Sequence, residues 1–401
     1  MPPLENENRA RRTISLGFIW LLIALSGFVM FEPSPFDLLG AILLVVSFAF
    51  GMRIPKGIEK AIIFWTVFLI FNIFAGILGS DPYLSIKPIG IRFFLVAIWL
   101  FLACFIYENP ERFLPVIWSG YTVGAFFVVL IGILAYTGNI PNPDQFLLFD
   151  RVKSTFKDPN VYGPYLVPVF MISLSRLESG KDSHFLMNSL MLCTFTIGIL
   201  LSFSRGAWLN LALAIFTYLA IRLVTLRESK EFSRLVIMGA LALVVASFLI
   251  GWLISTSAIS DLFLERAQVV QSYDLNERFS TQVKAINAIL DHPLGIGPAQ
   301  AKIQFGIEPH NVYLHIFSEC GWISGTAYVA FVVLTLWKGF LFCLRKTEIQ
   351  LSSLVVFSSI LSTQLQSFLI DSTHWRHLFV LYAMMWGSML GYDKYRSNSS
   401  Q

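Results

Sequence analysis

Apolar runs of roughly twenty residues, with few charges inside them, repeat from one end of the chain to the other, and this pattern leaves few folds open. A helix of that length crosses the hydrocarbon layer of a bilayer with its backbone N–H and C=O groups paired internally. Runs such as 190–201 carry neither charge nor period-two alternation, so a β-barrel is set aside. The expected fold is all-α: a polytopic transmembrane helical bundle forming a single integral membrane domain over 1–401. Spans are expected near 13–31, 36–52, 60–79, 88–107, 113–136, 160–176, 185–203, 207–223, 234–255, 318–342, 350–370 and 376–392, about twelve in all. The least helix-like is 160–176, where Pro164 and Pro168 fall inside.

Hydrophobic types make up 56% of the chain and charged types 13%, far more apolar than the core of a soluble domain requires. The net charge of +4 is small, and the basic residues lie in separate short loops, which excludes nucleic acid as an expected partner. Cys104, Cys193, Cys320 and Cys343 form no CxxC pair, so no disulfide framework is implied. Arg9, Arg11 and Arg12 precede an apolar run that is too long for a cleaved signal peptide and reads as a retained anchor.

Basic residues favour cytoplasmic loops. With both termini inside, Arg53, Lys56, Arg112, Arg176, Arg222, Arg227, Lys346 and Lys394 all fall on the cytoplasmic side. The outer connections are then short except for 137–160 and a large outer loop, 256–317. Within that loop Phe279, Val283, Ile286 and Leu290 recur at helical spacing, which predicts an amphipathic helix lying at the interface. The stretch from Asp291 to Pro298, with Pro293, Gly295 and Gly297, ends it in a tight turn.

The middles of the spans are almost without charge, which argues against an ion-coupled carrier. Basic and histidine side chains gather instead on the outer rim: Arg151, Lys153, Lys157, Arg205, Arg266, Arg278, His292, His310, His315, His374, Arg376 and His377. Guanidinium groups suit bidentate contact with phosphate oxygens, so an anionic, phosphate-bearing substrate fits this rim. Arg205 stands between two apolar spans in Ser202-Phe203-Ser204-Arg205-Gly206, where Gly206 offers a sharp turn. His310, in Pro309-His310-Asn311, is a candidate to orient or deprotonate a hydroxyl. His374 and His377 lack the carboxylate or cysteine partners of a metal site, and no Asp-x-Asp pair, G-x-S-x-G elbow or nucleotide-binding glycine loop occurs.

Taken in order, Ser154-Thr155-Phe156, Asp158-Pro159-Asn160, Ser204-Arg205-Gly206-Ala207-Trp208, His292-Pro293-Leu294-Gly295-Ile296-Gly297, Pro309-His310-Asn311 and Glu319-Cys320-Gly321 resemble the O-antigen ligase and O-antigen polymerase superfamily. The resemblance covers about 151–328. It implies a GT-C type, metal-independent and cofactor-free glycosyltransferase of the bacterial inner membrane. The donor implied is a glycan on an undecaprenyl-diphosphate carrier, and the acceptor a sugar hydroxyl of lipid A core or of a growing glycan, met at the periplasmic face among membrane lipids. The family's diphosphate-holding arginines correspond to Arg205 and Arg278, and its histidine to His310; Arg151, Lys153 and Arg376 on the same rim are further candidates to bind the substrate. Some ligases carry a second histidine beside the first, whereas Asn311 stands here, which leaves ligase and polymerase both open. A transporter or flippase for a lipid-linked or anionic solute is the alternative.

Overall fold

The computed structural model describes residues 16–179, 184–226 and 279–399. Arg278, the span expected at 234–255 and the arginines at 9, 11 and 12 lie outside the described residues, as does most of the large outer loop ahead of Phe279. The helices are α1 (Leu16–Gly27), α2 (Pro35–Ala49), α3 (Glu59–Leu78), α4 (Pro82–Glu108), α5 (Pro110–Tyr136), α6 (Pro159–Ser179), α7 (Phe185–Leu201) and α8 (Arg205–Thr225). After the second gap come α9 (Phe279–Asp291), α10 (Ala301–Phe305), α11 (Val312–Cys343), α12 (Gln350–Gln366) and α13 (Arg376–Ser399). A two-residue hairpin, β1 (Leu147–Leu148) and β2 (Arg151–Val152), precedes α6.

Among the described residues five helices are long and apolar enough to cross a membrane: α3, α4, α5, α8 and α11. The shorter α1, α2 and α7 are also apolar. The chain is a helical membrane protein. Pro164 and Pro168 do not interrupt α6, which runs unbroken through both, with each proline buried against its neighbours.

The chain divides into two compact units, one drawing on 1–39, 111–269 and 346–362, the other on 40–110, 270–345 and 363–401. In the first, α6 packs on α7 and α8. Gly124 lets α5 meet α1 closely, since a Cβ there would run into the Ala24 carbonyl oxygen. One end of α6 is stapled to α8 by a buried carboxylate: Glu178 accepts from the Tyr218 hydroxyl and, at 2.7 Å, from the Arg222 Nε.

In the second unit α13 lies along α4, and α11 lies along α3. Trp65, Trp99, Phe331, Tyr382 and Trp386 fill the space between them, with Trp65 and Phe331 ring centroids 4.4 Å apart and Phe331 meeting Tyr382 edge-on at 5.0 Å. The amphipathic helix expected from the spacing of Phe279, Val283, Ile286 and Leu290 is present as α9, and it packs through its small residues. Thr281, Ala285 and Ala288 are buried and α9 lies against α11, while Val283, Ile286 and Leu290 line the exposed side.

Candidate functional site

In the first unit the site begins at the hairpin. Phe149 and Asp150, at φ 50° and 57°, make its two-residue turn in the left-handed conformation that the right-handed twist of paired strands demands. That turn delivers Arg151, paired opposite Leu148, to the end of α7. Its Nε donates to the Ser202 carbonyl at 3.0 Å and its Nη2 to Asn160 Oδ1 at 2.9 Å. The same Asn160 oxygen accepts from the Ser204 hydroxyl at 2.8 Å, and the Asn160 N–H donates to Asp158 Oδ1 at 2.7 Å. The Asp158-Pro159-Asn160 and Ser204-Arg205-Gly206 motifs, more than forty residues apart, are therefore joined through one amide.

Ser204 is the N-cap of α8, its hydroxyl oxygen accepting from the Ala207 N–H at 3.2 Å. Arg205 is the first helical residue and is half-buried. The sequence reading gave the reversal of the chain to Gly206, and this is corrected: Gly206 is already helical, and Phe203 makes the turn at φ 45°. The reason is the cap. With Ser204 fixing the helix start, the reversal has to be complete one residue earlier, and Ser202 supports it by donating to Ile199 O at 2.6 Å and accepting from Ser204 N at 3.3 Å. A helix start carries partial positive charge and free N–H groups, and a guanidinium at its first position adds a full charge. Lys153, half-buried, follows Arg151 on the same hairpin. Lys157 is engaged with Glu32 at 2.7 Å.

The second unit holds the histidine. Gly321 breaks α11 at φ 79°, and the interruption turns carbonyl groups toward the 292–298 loop. Ile296 N–H donates to Ser318 O and Gly297 N–H to Glu319 O, both at 2.9 Å, while Trp322 N–H donates back to Pro293 O at 2.9 Å. Gly295, at φ 89°, is so close that a Cβ would run into the Glu319 carbonyl and lie 2.6 Å from the Gly321 nitrogen. His310 is exposed just ahead of α11, next to the N-cap Asn311, whose Oδ1 accepts from Tyr313 N at 3.0 Å and Leu314 N at 3.2 Å.

Behind His310 lies a chain of buried ionisable groups. His315 Nδ1 stands 3.1 Å from Asp371 Oδ2, and its Nε2 stands 2.8 Å from Glu319 Oε2. Glu319 Oε2 is 3.6 Å from Arg92 Nη2, and Arg92 Nη1 donates to Asn72 Oδ1 at 2.6 Å. His374, half-exposed, closes the outer end with its Nδ1 3.6 Å from Asp371 Oδ2. Burial pushes the Asp371 carboxyl up, but the neighbouring His315 and His374 imidazoles hold it well below the usual carboxylate range, so it is ionised at neutral pH. Arg92 lies within α4 and Glu319 within α11, near the starts of the spans expected at 88–107 and 318–342. The pairing of Arg92 with Glu319 joins two distant segments and leaves no local pattern.

Of the residues singled out in the sequence, Arg151 and Arg205 are brought together at the start of α8, with Lys153 near by in the chain. His310 stands at the start of α11 and Arg376 is buried at the start of α13, in the segment that carries Asp371 and His374. Arg278 lies outside the described residues. The residues that sequence reasoning passed over are Asn160 as a connector and Arg92, Glu319 and Asp371 as a buried set. The available signal was the presence of Arg92 and Glu319 inside apolar runs that otherwise carry almost no charge.

Helices long enough to span a bilayer mark a polytopic membrane protein, whose first unit carries a capped helix start bearing arginine and whose second carries a histidine at the head of a kinked span. Residues 190–329 match the family described as O-antigen ligase, Wzy_C, a stretch that contains Arg205, Arg278 and His310. The match covers 140 of the 401 residues and supports a relationship to the O-antigen ligase and polymerase superfamily. No curated protein matches it.

Proposed function

We propose that the protein is a metal-independent glycosyltransferase of the inner membrane that works at the periplasmic face. It moves a glycan from an undecaprenyl-diphosphate carrier to a sugar hydroxyl, either of lipid A core or of a growing glycan. Arg205 and Arg278 bind the diphosphate, with Lys153 and Arg376 adding positive charge and Arg151 holding the Arg205 turn in place. His310 takes the proton of the acceptor hydroxyl as its oxygen attacks the anomeric carbon. The bond from that carbon to the phosphate oxygen breaks, and the diphosphate leaves with its charge met by guanidinium groups fixed in advance.

The observation that carries this reading is the start of α8. There the Ser204 cap, the Arg205 guanidinium and Asn160 come from two of the motifs on which the resemblance rests, and Arg151 braces them. The test is to reconstitute the purified protein with undecaprenyl-diphosphate-linked repeat unit, with and without lipid A core, in EDTA. A ladder without core identifies a polymerase, and product only with core identifies a ligase. Transfer abolished by EDTA and restored by a divalent ion would overturn the metal-independent mechanism.

Transport is the second reading, and the buried Arg92–Glu319–His315–Asp371 chain favours it, because intramembrane ionisable groups accompany ion-coupled carriers. Movement of lipid-linked donor across proteoliposomes without any change in its glycan would establish it in place of transfer.

A further inference from the structure

Three attachments fasten the turn that carries His310 to the segment 364–372. The Val312 N–H donates to Ser367 O at 2.8 Å. The Tyr313 hydroxyl lies 3.1 Å from Gln364 Oε1, with its ring 4.5 Å from that of Phe368. One turn further along α11, His315 meets Asp371 at 3.1 Å. The third is the one that uses charge, and it is locked from both sides. Asp371 also accepts from Thr373 N at 2.9 Å and Thr373 Oγ1 at 3.0 Å, while His315 continues to Glu319 at 2.8 Å. Glu319 in turn holds the 292–298 loop, its backbone carbonyl accepting from Gly297 N at 2.9 Å. A displaced His315 would therefore shift the helix start bearing His310 together with the loop docked on the Gly321 kink.

We propose that Asp371 and His315 are positioning residues that set the place of His310, an inference that rests on the transferase reading above. They touch neither donor nor acceptor; they fix the helix start from which His310 reaches the hydroxyl. A misplacement of about 1 Å costs on the order of 100-fold in rate. Asp371→Asn removes the charge while keeping the shape, and His315→Gln leaves Asp371 with only the more exposed His374 imidazole, 3.6 Å away.

The test compares these variants as purified, monodisperse protein in the donor–acceptor assay. Asp371→Asn is expected to lower kcat by about 100-fold with KM for the lipid-linked donor changed by less than about twofold. Asp371→Glu should recover part of that loss, and the double variant with His315→Gln should be no slower than the slower single variant, because the two act as one unit. Wild-type kcat in folded Asp371→Asn, or losses in the two variants that simply multiply, overturns the proposal. If Asp371→Asn does not fold, Tyr313→Phe tests the neighbouring attachment: a drop in kcat of about threefold or more at unchanged KM supports the clamp, and no drop overturns it.

The structural claim is also read without activity. His310→Cys in a Cys193→Ser background is labelled with a membrane-impermeant maleimide, with and without Asp371→Asn. A several-fold change in labelling rate supports the clamp, and equal rates overturn it. If the unaltered protein transfers nothing while the labelling rate changes, the positioning stands and the transferase reading falls.

Discussion

Arg205 and Arg151 are both arginines beside one helix start, yet they stand in different positions. Arg151 donates through Nε and Nη2 to Ser202 O and Asn160 Oδ1, so its plane is fixed by protein acceptors. Arg205, at the first position of α8, lies where the helix dipole already favours an anion. A planar fork matches two phosphate oxygens at once and an ammonium does not. Arg205→Ala is expected to lower transfer by about 100- to 1,000-fold and Arg205→Lys by a smaller factor, at least about 10-fold. Initial rates with saturating donor check this, and a fully active Arg205→Lys would show that charge alone suffices. The arginine itself was legible from Ser204-Arg205-Gly206. What the sequence could not show is Asn160 as the shared acceptor, because hydrogen bonding between residues forty-four positions apart leaves no local pattern. The same holds for Asp371, which reads as an ordinary loop acid until the fold sets it against His315.

Among the elements, α11 shows where local pattern and tertiary packing part. Its apolar residues place a span near 318–342, but the helix begins at Val312 and is interrupted at Gly321. The glycines of the 292–298 turn were legible as breakers. Their partner was not, because Glu319-Cys320-Gly321 looks like the opening of a continuous helix. The kink exists because the turn needs acceptors, and an unbroken helix would keep the Ser318 and Glu319 carbonyls for itself. The same logic explains α9, where spacing identified an amphipathic helix but could not say that its small residues, and not its apolar stripe, pack on the protein. Gly295→Ala combines an L-residue at φ 89° with a clash against the Glu319 carbonyl. The expected loss is about 2–4 kcal/mol of stability, seen as a lowered Tm in detergent together with lost transfer. An unchanged Tm would mean that the turn and the kink yield easily and do not define the site.

At the scale of the molecule, the direction of the helices can be read within each unit. In the second unit α4, α11 and α13 run parallel. Toward their starts Arg92 of α4 meets Glu319 of α11 at 3.6 Å and His315 of α11 meets Asp371, just ahead of α13, at 3.1 Å, and their ends share the pairs Arg345–Asp393 at 2.8 Å and Glu108–Lys394 at 3.6 Å. In the first unit α6 and α8 run parallel, with Asn160 and Ser204 at one end and Glu178 and Arg222 at the other. Arg205 sits at a helix start in the first unit, His310 sits at a helix start in the second, and the exposed ion pairs of the second unit sit at helix ends. A bilayer separates the two ends of a span, and within each unit the basic-loop bias predicts that these helix starts face the periplasm and the helix ends the cytoplasm. Single cysteines report this directly in a background lacking Cys193. Lys157→Cys and His374→Cys, each replacing a half-exposed side chain at 53%, should react with a membrane-impermeant maleimide in cells whose inner membrane is intact. Arg345→Cys and Asp393→Cys, at 47% and 56%, should react only after that membrane is permeabilised. The reverse pattern would move the arginines and His310 to the cytoplasmic face, where a carrier-linked glycan awaiting transfer outside could not meet them, and the proposed reaction would fall with the topology.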